Sequence, residues 1–145
     1  MKSGDVERWF ATVKPPSEDA MRVVRDAILG ADKRMREKVK YGNVMFDAGD
    51  KDFAAFVDTK RRGVNLMLMR GRQLTGTYPH LVGASVKRVL IADAKEARAR
   101  AAELRAMARE WCEIVGASAE GETSGRRARR SSTRPSAGAS RSSSR

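Results

Sequence analysis

Four aspartates crowd the middle of the chain: Asp47, Asp50 and Asp52 lie within six residues, and Asp58 follows six later. Carboxylates are hard oxygen ligands, so such a stretch is a candidate for Ca²⁺, Mg²⁺ or iron. The spacing departs from the calcium-loop pattern, because the twelfth position counted from Asp50 is Arg61, and a solvated hairpin turn is the plainer reading. His80, beside Pro79, is the single histidine, which excludes a multi-histidine metal site and leaves an ordinary loop residue. The run Gly71-Arg72-Gln73-Leu74-Thr75-Gly76 lacks the Lys-Ser/Thr that completes a phosphate-binding loop. The single cysteine, Cys112, follows Trp111 near the inward side of a helical pattern. It reads as a buried structural thiol, and a lone cysteine suits a reducing compartment. No nucleophile and base form a pair in this sequence, and the expected protein is non-catalytic.

Two other groups of residues suit binding. If helices cover the sheet face that carries Leu66 and Leu68, then Met67 and Met69, with Met45, line the opposite face. Flexible methionines on an uncovered sheet make an adaptable surface for a small ligand or a protein partner. The second group is the Arg-rich end. Arg126, Arg127, Arg129, Arg130, Arg134, Arg141 and Arg145 have no acidic neighbour after Glu122. Such an arm attracts nucleic acid, each neutralised phosphate adding about 0.9 to the salt slope of DNA binding, or it serves only as a solubilising extension. Residues 1–116 hold 23 Lys+Arg and 16 Asp+Glu, a net +7, and residues 117–145 hold 7 Arg and 2 Glu, a net +5. In the first segment the charges of both signs are mixed, as on a solvated surface.

The elements that must position these groups follow from periodicity and punctuation. Val6, Trp9, Phe10 and Val13 are spaced as one stripe of a helix that Pro15-Pro16 ends. Ser17 is suited to cap a second helix carrying Met21, Val24 and Ile28, with Glu18 and Asp19 in its first turn. Asp32 is read as the cap of a further short helix through Lys38, with Met35 and Val39 turned to the core. Three strands follow, around Val44–Phe46, Asp52–Lys60 and Val64–Met69, joined by loops short enough for an antiparallel meander. Alternation puts Phe53, Ala55 and Val57 on one side of the second of these. Val86–Ile91 reads as one more strand. Ala94–Val115 has no Gly or Pro, and Ala97, Ala101, Leu104, Ala108, Trp111 and Val115 form a helical stripe. From Ala117 onward the chain has no aromatic and no large aliphatic residue, and disorder is expected over 117–145. Residues 1–116 form one domain of usual size. No run is long enough to span a membrane and the N-terminus is not a signal peptide, so the cytoplasm is the expected location.

The segment KVKYGNVMF, followed by FAAFVDTKRRGVNLMLMRG and Leu74, resembles the YdhG-like domains, small bacterial proteins of unknown function often described as frataxin-like. Lys38, Tyr41, Gly42, Val44 and Phe46 match that family's first segment, Lys60 the second, Val64 and Leu66 the third, and Gly71 with Leu74 the fourth. Leu81, Arg88 and the final helix resemble its closing portion, so the likeness covers roughly Val6 to Val115. Tyr41 stands where the family usually has Trp and Val44 where it has Pro. Gly83-Ala84-Ser85 replaces a Gly-x-Gly-Lys turn, and Val89 replaces a His. The resemblance implies an α+β two-layer sandwich, an antiparallel sheet of four to five strands with N- and C-terminal helices on one face. It also implies, more distantly, iron delivery, for which Asp47, Asp50, Asp52 and Asp58 are the candidate ligands. Frataxin-type binding uses an acidic ridge, whereas here Glu18, Asp19 and Asp26 alternate with Arg22 and Arg25 and the last helix is basic. A non-catalytic binding domain is therefore the leading expectation, with iron handling and nucleic-acid association as alternatives.

Overall fold

Residues 36–57 fold back on themselves twice through two-residue turns. Tyr41 and Gly42 have φ of 54° and 78°, and Gly49 and Asp50 have 55° and 62°. Positive φ at both central positions matches the right-handed twist of the strands on either side, so each turn closes a tight hairpin. The computed structural model describes the backbone of residues 2–132 and the side chains of residues 2–117. Its elements are α1 (Gly4–Val13), α2 (Glu18–Ala31), β1 (Arg36–Lys40), β2 (Asn43–Ala48), β3 (Lys51–Val57), β4 (Val64–Leu68), a 3-10 turn at Gly71–Gln73, β5 (Lys87–Ile91) and α3 (Ala94–Ser132). The strands form one sheet in the order β1-β2-β3-β4-β5, every neighbouring pair antiparallel.

The short helix expected after Asp32 is instead strand β1. Arg36, Lys38 and Lys40 alternate with Glu37 and Val39, a period of two that fits a strand and not a helix, and the Tyr41-Gly42 turn returns the chain to pair Val39 with Val44. Met35 is fully buried, as expected, but Val39 is 38% exposed because β1 is an edge strand. Its row of charged residues also discourages another chain from pairing there.

One face of the sheet is apolar apart from Glu37 on β1 and Lys87 on β5. Phe46, Ala54, Phe56, Leu66, Leu68, Val89 and Ile91 are all buried, as are Val6, Trp9 and Phe10 of α1, Met21, Val24 and Ile28 of α2, and Leu104, Met107, Ala108 and Trp111 of α3. Phe46 and Phe56 meet edge to face at 5.6 Å in its middle. The opposite face carries Arg36, Lys38, Lys40, Met67, Arg88 and Leu90, all at least partly exposed. This is the expected α+β arrangement of an antiparallel sheet with helices on one side. Strict alternation fails at Phe53. Phe46 pairs with Ala54 but Asp47 with Asp52, so Phe53 is the extra residue of a β-bulge. Its ring is only 2% exposed and stacks on Trp111 at 5.9 Å, away from the side that simple alternation assigns it.

A charged group lies inside this apolar layer. Arg25 is 1% exposed and the Glu37 side chain is sealed; Arg25 donates from Nε to Oε1 at 2.8 Å and from NH2 to Oε2 at 2.7 Å. Glu37 also accepts from the Ser3 backbone N–H, and Arg25 reaches Glu7. Glu7 is shared with Arg22, which bonds Glu18 in turn and lies over the Phe10 ring at 4.4 Å. The network ties α1, α2 and β1 into one corner, and Trp9 Nε1 closes it by donating to the Gly42 carbonyl at 2.8 Å.

The chain divides into two compact units at Glu113 and Ile114. The first holds all the elements above and the start of α3. The second begins with the continuation of α3, whose backbone stays helical past Gly116 to Ser132. Single glycines lower helix stability by about 1 kcal/mol relative to alanine but do not remove a backbone donor, and Pro135 is the first residue that would. For 133–145 the expectation of disorder falls outside the described residues. No helix among the described residues is long and apolar enough to cross a membrane.

Two outcomes test the corner. Glu37→Ala strands the Arg25 charge and should cost about 3–5 kcal/mol in urea denaturation, whereas the double replacement Arg25→Met with Glu37→Leu should recover most of it. The Glu7 carboxyl is held at about 2, against an ordinary 4.5, by hydrogen bonds from Arg22 and then Arg25. Arg34 lowers Asp32 from 3.8 to about 2. A lowered value in the folded state means that stability is full above the unfolded values and is lost as pH falls through the folded ones. The urea midpoint should therefore drop between about pH 4.5 and pH 2, and Glu7→Gln with Asp32→Asn should flatten that drop.

Candidate functional site

The four candidate metal ligands do not converge. Asp47 and Asp52 are cross-strand partners on β2 and β3, and Asp50 sits in the turn between those strands with φ of 62°. Asp58 lies beyond the other end of β3, about 20 Å along a strand of this rise. Between Asp47 and Asp52 stands Lys38, whose Nζ is 2.8 Å from Asp47 Oδ2 and 2.8 Å from Asp52 Oδ1. Lys40 adds a contact of 3.1 Å to Asp52 Oδ2. These bonds raise the Lys38 pKa, Asp47 contributing most, and lower that of Asp52, Lys38 contributing most. Two carboxylates balanced by two ammonium groups do not fit a hard cation, because the metal would have to displace Lys38. Among the described residues no group of three or more His, Cys, Asp or Glu is placed to hold a metal ion. Sequence reasoning missed Lys38 and Lys40 because only a strand, not a helix, puts residues two apart on one side.

The methionines share a side but not an environment. A row across the sheet runs Lys38, Met45, Ala55, Met67, Arg88. Met45 is only 7% exposed, while Met67 and Met69 are half-buried. Of the three methionines expected on an open face, Met67 and Met69 are accessible and Met45 is not. Arg126, Arg127, Arg129 and Arg130 lie where the backbone of α3 continues, but their side chains fall outside the described residues, as Arg134 does entirely.

His80 and the loop around it serve to fix structure. His80 donates its backbone N–H to Glu103 at 2.9 Å, and its Nδ1 lies 2.7 Å from the other carboxylate oxygen. One helical face further on, Glu110 accepts from Thr75 Oγ1 at 2.8 Å, the Tyr78 hydroxyl at 2.6 Å and the Gly76 N–H at 3.2 Å. Burial and the nearby Glu110 push the Tyr78 hydroxyl up, so it remains a donor. Glu103 and Glu110 are seven residues apart, two turns of α3 on the same side, and together they strap residues 75–80 to the helix. The spacing is visible in the sequence, but its partners come from a loop with no pattern of its own. Cys112 is buried, and desolvation raises its thiol to about 11.

A cleft lies at the end of the sheet where β4 begins and β5 finishes. It has a volume of about 350 Å³ and is lined by the Asp58–Asn65 loop, Leu90–Ala92 and Glu96. The loop is anchored from below. Ser17 occupies the N-cap position of α2, as expected, but its hydroxyl makes no capping bond and accepts the Gly63 N–H at 2.6 Å. Asp58, at φ 52°, accepts the Arg61 N–H at 3.0 Å to close a turn, and its Oδ2 takes the Asn65 Nδ2 at 3.1 Å. Asn65 Oδ1 is buried with no hydrogen-bond partner. Arg61 and Arg62 are exposed and make no ion pair among the described residues. On the far side Leu90 is 56% exposed, while Glu96 is engaged by the Ala92 N–H and Arg100. None of these cleft residues except Asp58 stood out in the sequence, since Arg-Arg-Gly reads only as a loop.

No family model matches the chain, and no curated protein or solved structure does so either.

The environment of Cys112 predicts its chemistry. A buried thiol with a raised pKa presents almost no thiolate at neutral pH. Iodoacetamide at pH 7.5 should label it at least tenfold more slowly in the folded protein than in 6 M guanidinium, as measured by intact mass.

Proposed function

We propose that this chain is a non-catalytic cytoplasmic binding protein of the YdhG-like kind, and that it takes a small ligand in the cleft at the end of β4 and β5. The observation that carries this reading is the lining of one cleft by two uncommitted guanidinium groups, Arg61 and Arg62, together with Asp58, one oxygen of which has no hydrogen-bond partner among the described residues. Small-molecule sites combine an apolar wall with a few polar groups left free to fix orientation, and here Leu90 supplies the wall. The family reading is supported by the order and spacing of Lys38, Gly42, Phe46, Lys60, Val64, Leu66, Gly71 and Leu74. Iron carriage is disfavoured, because Lys38 stands where a metal would have to lie between Asp47 and Asp52.

A fragment library of small anions and zwitterions, screened against the ¹⁵N-labelled full chain, tests the site. Saturable amide shifts should concentrate at Asp58–Asn65 and Leu90–Glu96. Shifts confined to Met67, Met69 and Arg88 would move the site to the open sheet face and overturn the cleft assignment.

A further inference from the structure

Resting on the cleft reading above, we infer that its ligand is a free amino acid with an apolar side chain. An ionised carboxylate only accepts hydrogen bonds, so Asp58 fixes which way the Asn65 amide points. The amide nitrogen faces Asp58 Oδ2 at 3.1 Å, and the carbonyl oxygen is left on the other side, buried and without a donor. The second oxygen of Asp58 makes no hydrogen bond among the described residues. The cleft thus offers one free acceptor, the second oxygen of Asp58, while Asn65 Oδ1 is closed off from it. An ammonium group brings the charge and the donors that such a carboxylate oxygen takes.

The opposite requirement is set a few residues along. Arg61 and Arg62 line the same cleft, and a guanidinium fork matches a carboxylate in two parallel bonds. A plain carboxylate or a phosphate would engage these arginines but face the Asp58 charge. A simple amine would satisfy Asp58 but confront two guanidinium groups. A molecule carrying both signs meets each group with its complement. Glu96 does not alter this balance, because the Ala92 N–H and Arg100 already occupy its oxygens. Leu90, 56% exposed, provides an apolar wall for the side chain. A volume of about 350 Å³ accommodates an amino acid of leucine size.

Titrating the ¹⁵N-labelled full chain with L-leucine, N-acetyl-L-leucine and L-leucinamide tests the assignment, because each derivative removes one charge. L-leucine should give saturable shifts at Asp58–Asn65 and Leu90–Glu96, and both derivatives should bind at least tenfold more weakly. Arg61→Gln with Arg62→Gln should abolish the leucine shifts while the rest of the spectrum stays folded, and Arg36→Gln, outside the cleft, should leave them unchanged. Equal binding of N-acetyl-L-leucine would overturn the zwitterion while leaving the cleft as an anion site. Silence from all three with fragment hits still at the cleft would overturn the amino acid but keep the binding reading. Silence from the whole library would overturn both.

Discussion

A guanidinium group sealed from water must be matched by a carboxylate, and Arg25 with Glu37 is that match in this fold. A buried charge pair contributes little net stability over a well-packed apolar pair, but it tolerates very few arrangements. Two Arg25 nitrogens each bond a different Glu37 oxygen, so α2 and β1 hold one relative position. The bond from Ser3 to Glu37 and the sharing of Glu7 then set α1 against the same corner. Once Glu37 points inward, alternation along β1 sends Lys38 to the opposite side of the sheet. There Lys38 reaches Asp47 and Asp52, and with Lys40 on Asp52 it makes a neutral cluster of two carboxylates and two ammonium groups. The internal pair and the loss of a metal site are thus consequences of the same strand.

The far end of the molecule is organised differently. Residues 75–80 have no apolar pattern and are held almost wholly by hydrogen bonds to Glu103 and Glu110. The loop before β4 is held by the Gly63 N–H entering the Ser17 hydroxyl and by the bonds of Arg61 and Asn65 to Asp58. Polar anchoring of this sort places a loop without filling the space above it. The cleft beside Asn65 persists for that reason, walled by backbone on one side and by exposed Arg61, Arg62 and Leu90 on the other.

What could be read without coordinates was whatever local periodicity writes down. The helical stripes at Val6–Val13 and Ala97–Trp111, the strands around Val44, Phe56 and Leu66, and the inward Met35 and Cys112 all follow from the spacing of apolar residues, because burial is decided residue by residue along one element. The identity of β1 was obscured, since a five-residue strand rich in Lys and Arg carries almost no apolar signal, and its evidence lies in the Tyr41-Gly42 turn that follows. Phe53 was misassigned to a face because a bulge depends on the register of two strands, which neither strand specifies alone.

The sequence by itself therefore determined the layered α+β class, the meander of strands and the apolar side of each helix, all governed by contacts within a few residues. Tertiary structure alone decided which charges meet. Arg25 and Glu37 are twelve residues apart, Ser17 and Gly63 forty-six, and His80 and Glu103 twenty-three. Electrostatic partners are chosen by proximity in space, and no periodicity in the chain records who is left over. Arg61 and Arg62 stand out only in three dimensions, where they line one cleft with Asp58 and make no ion pair among the described residues.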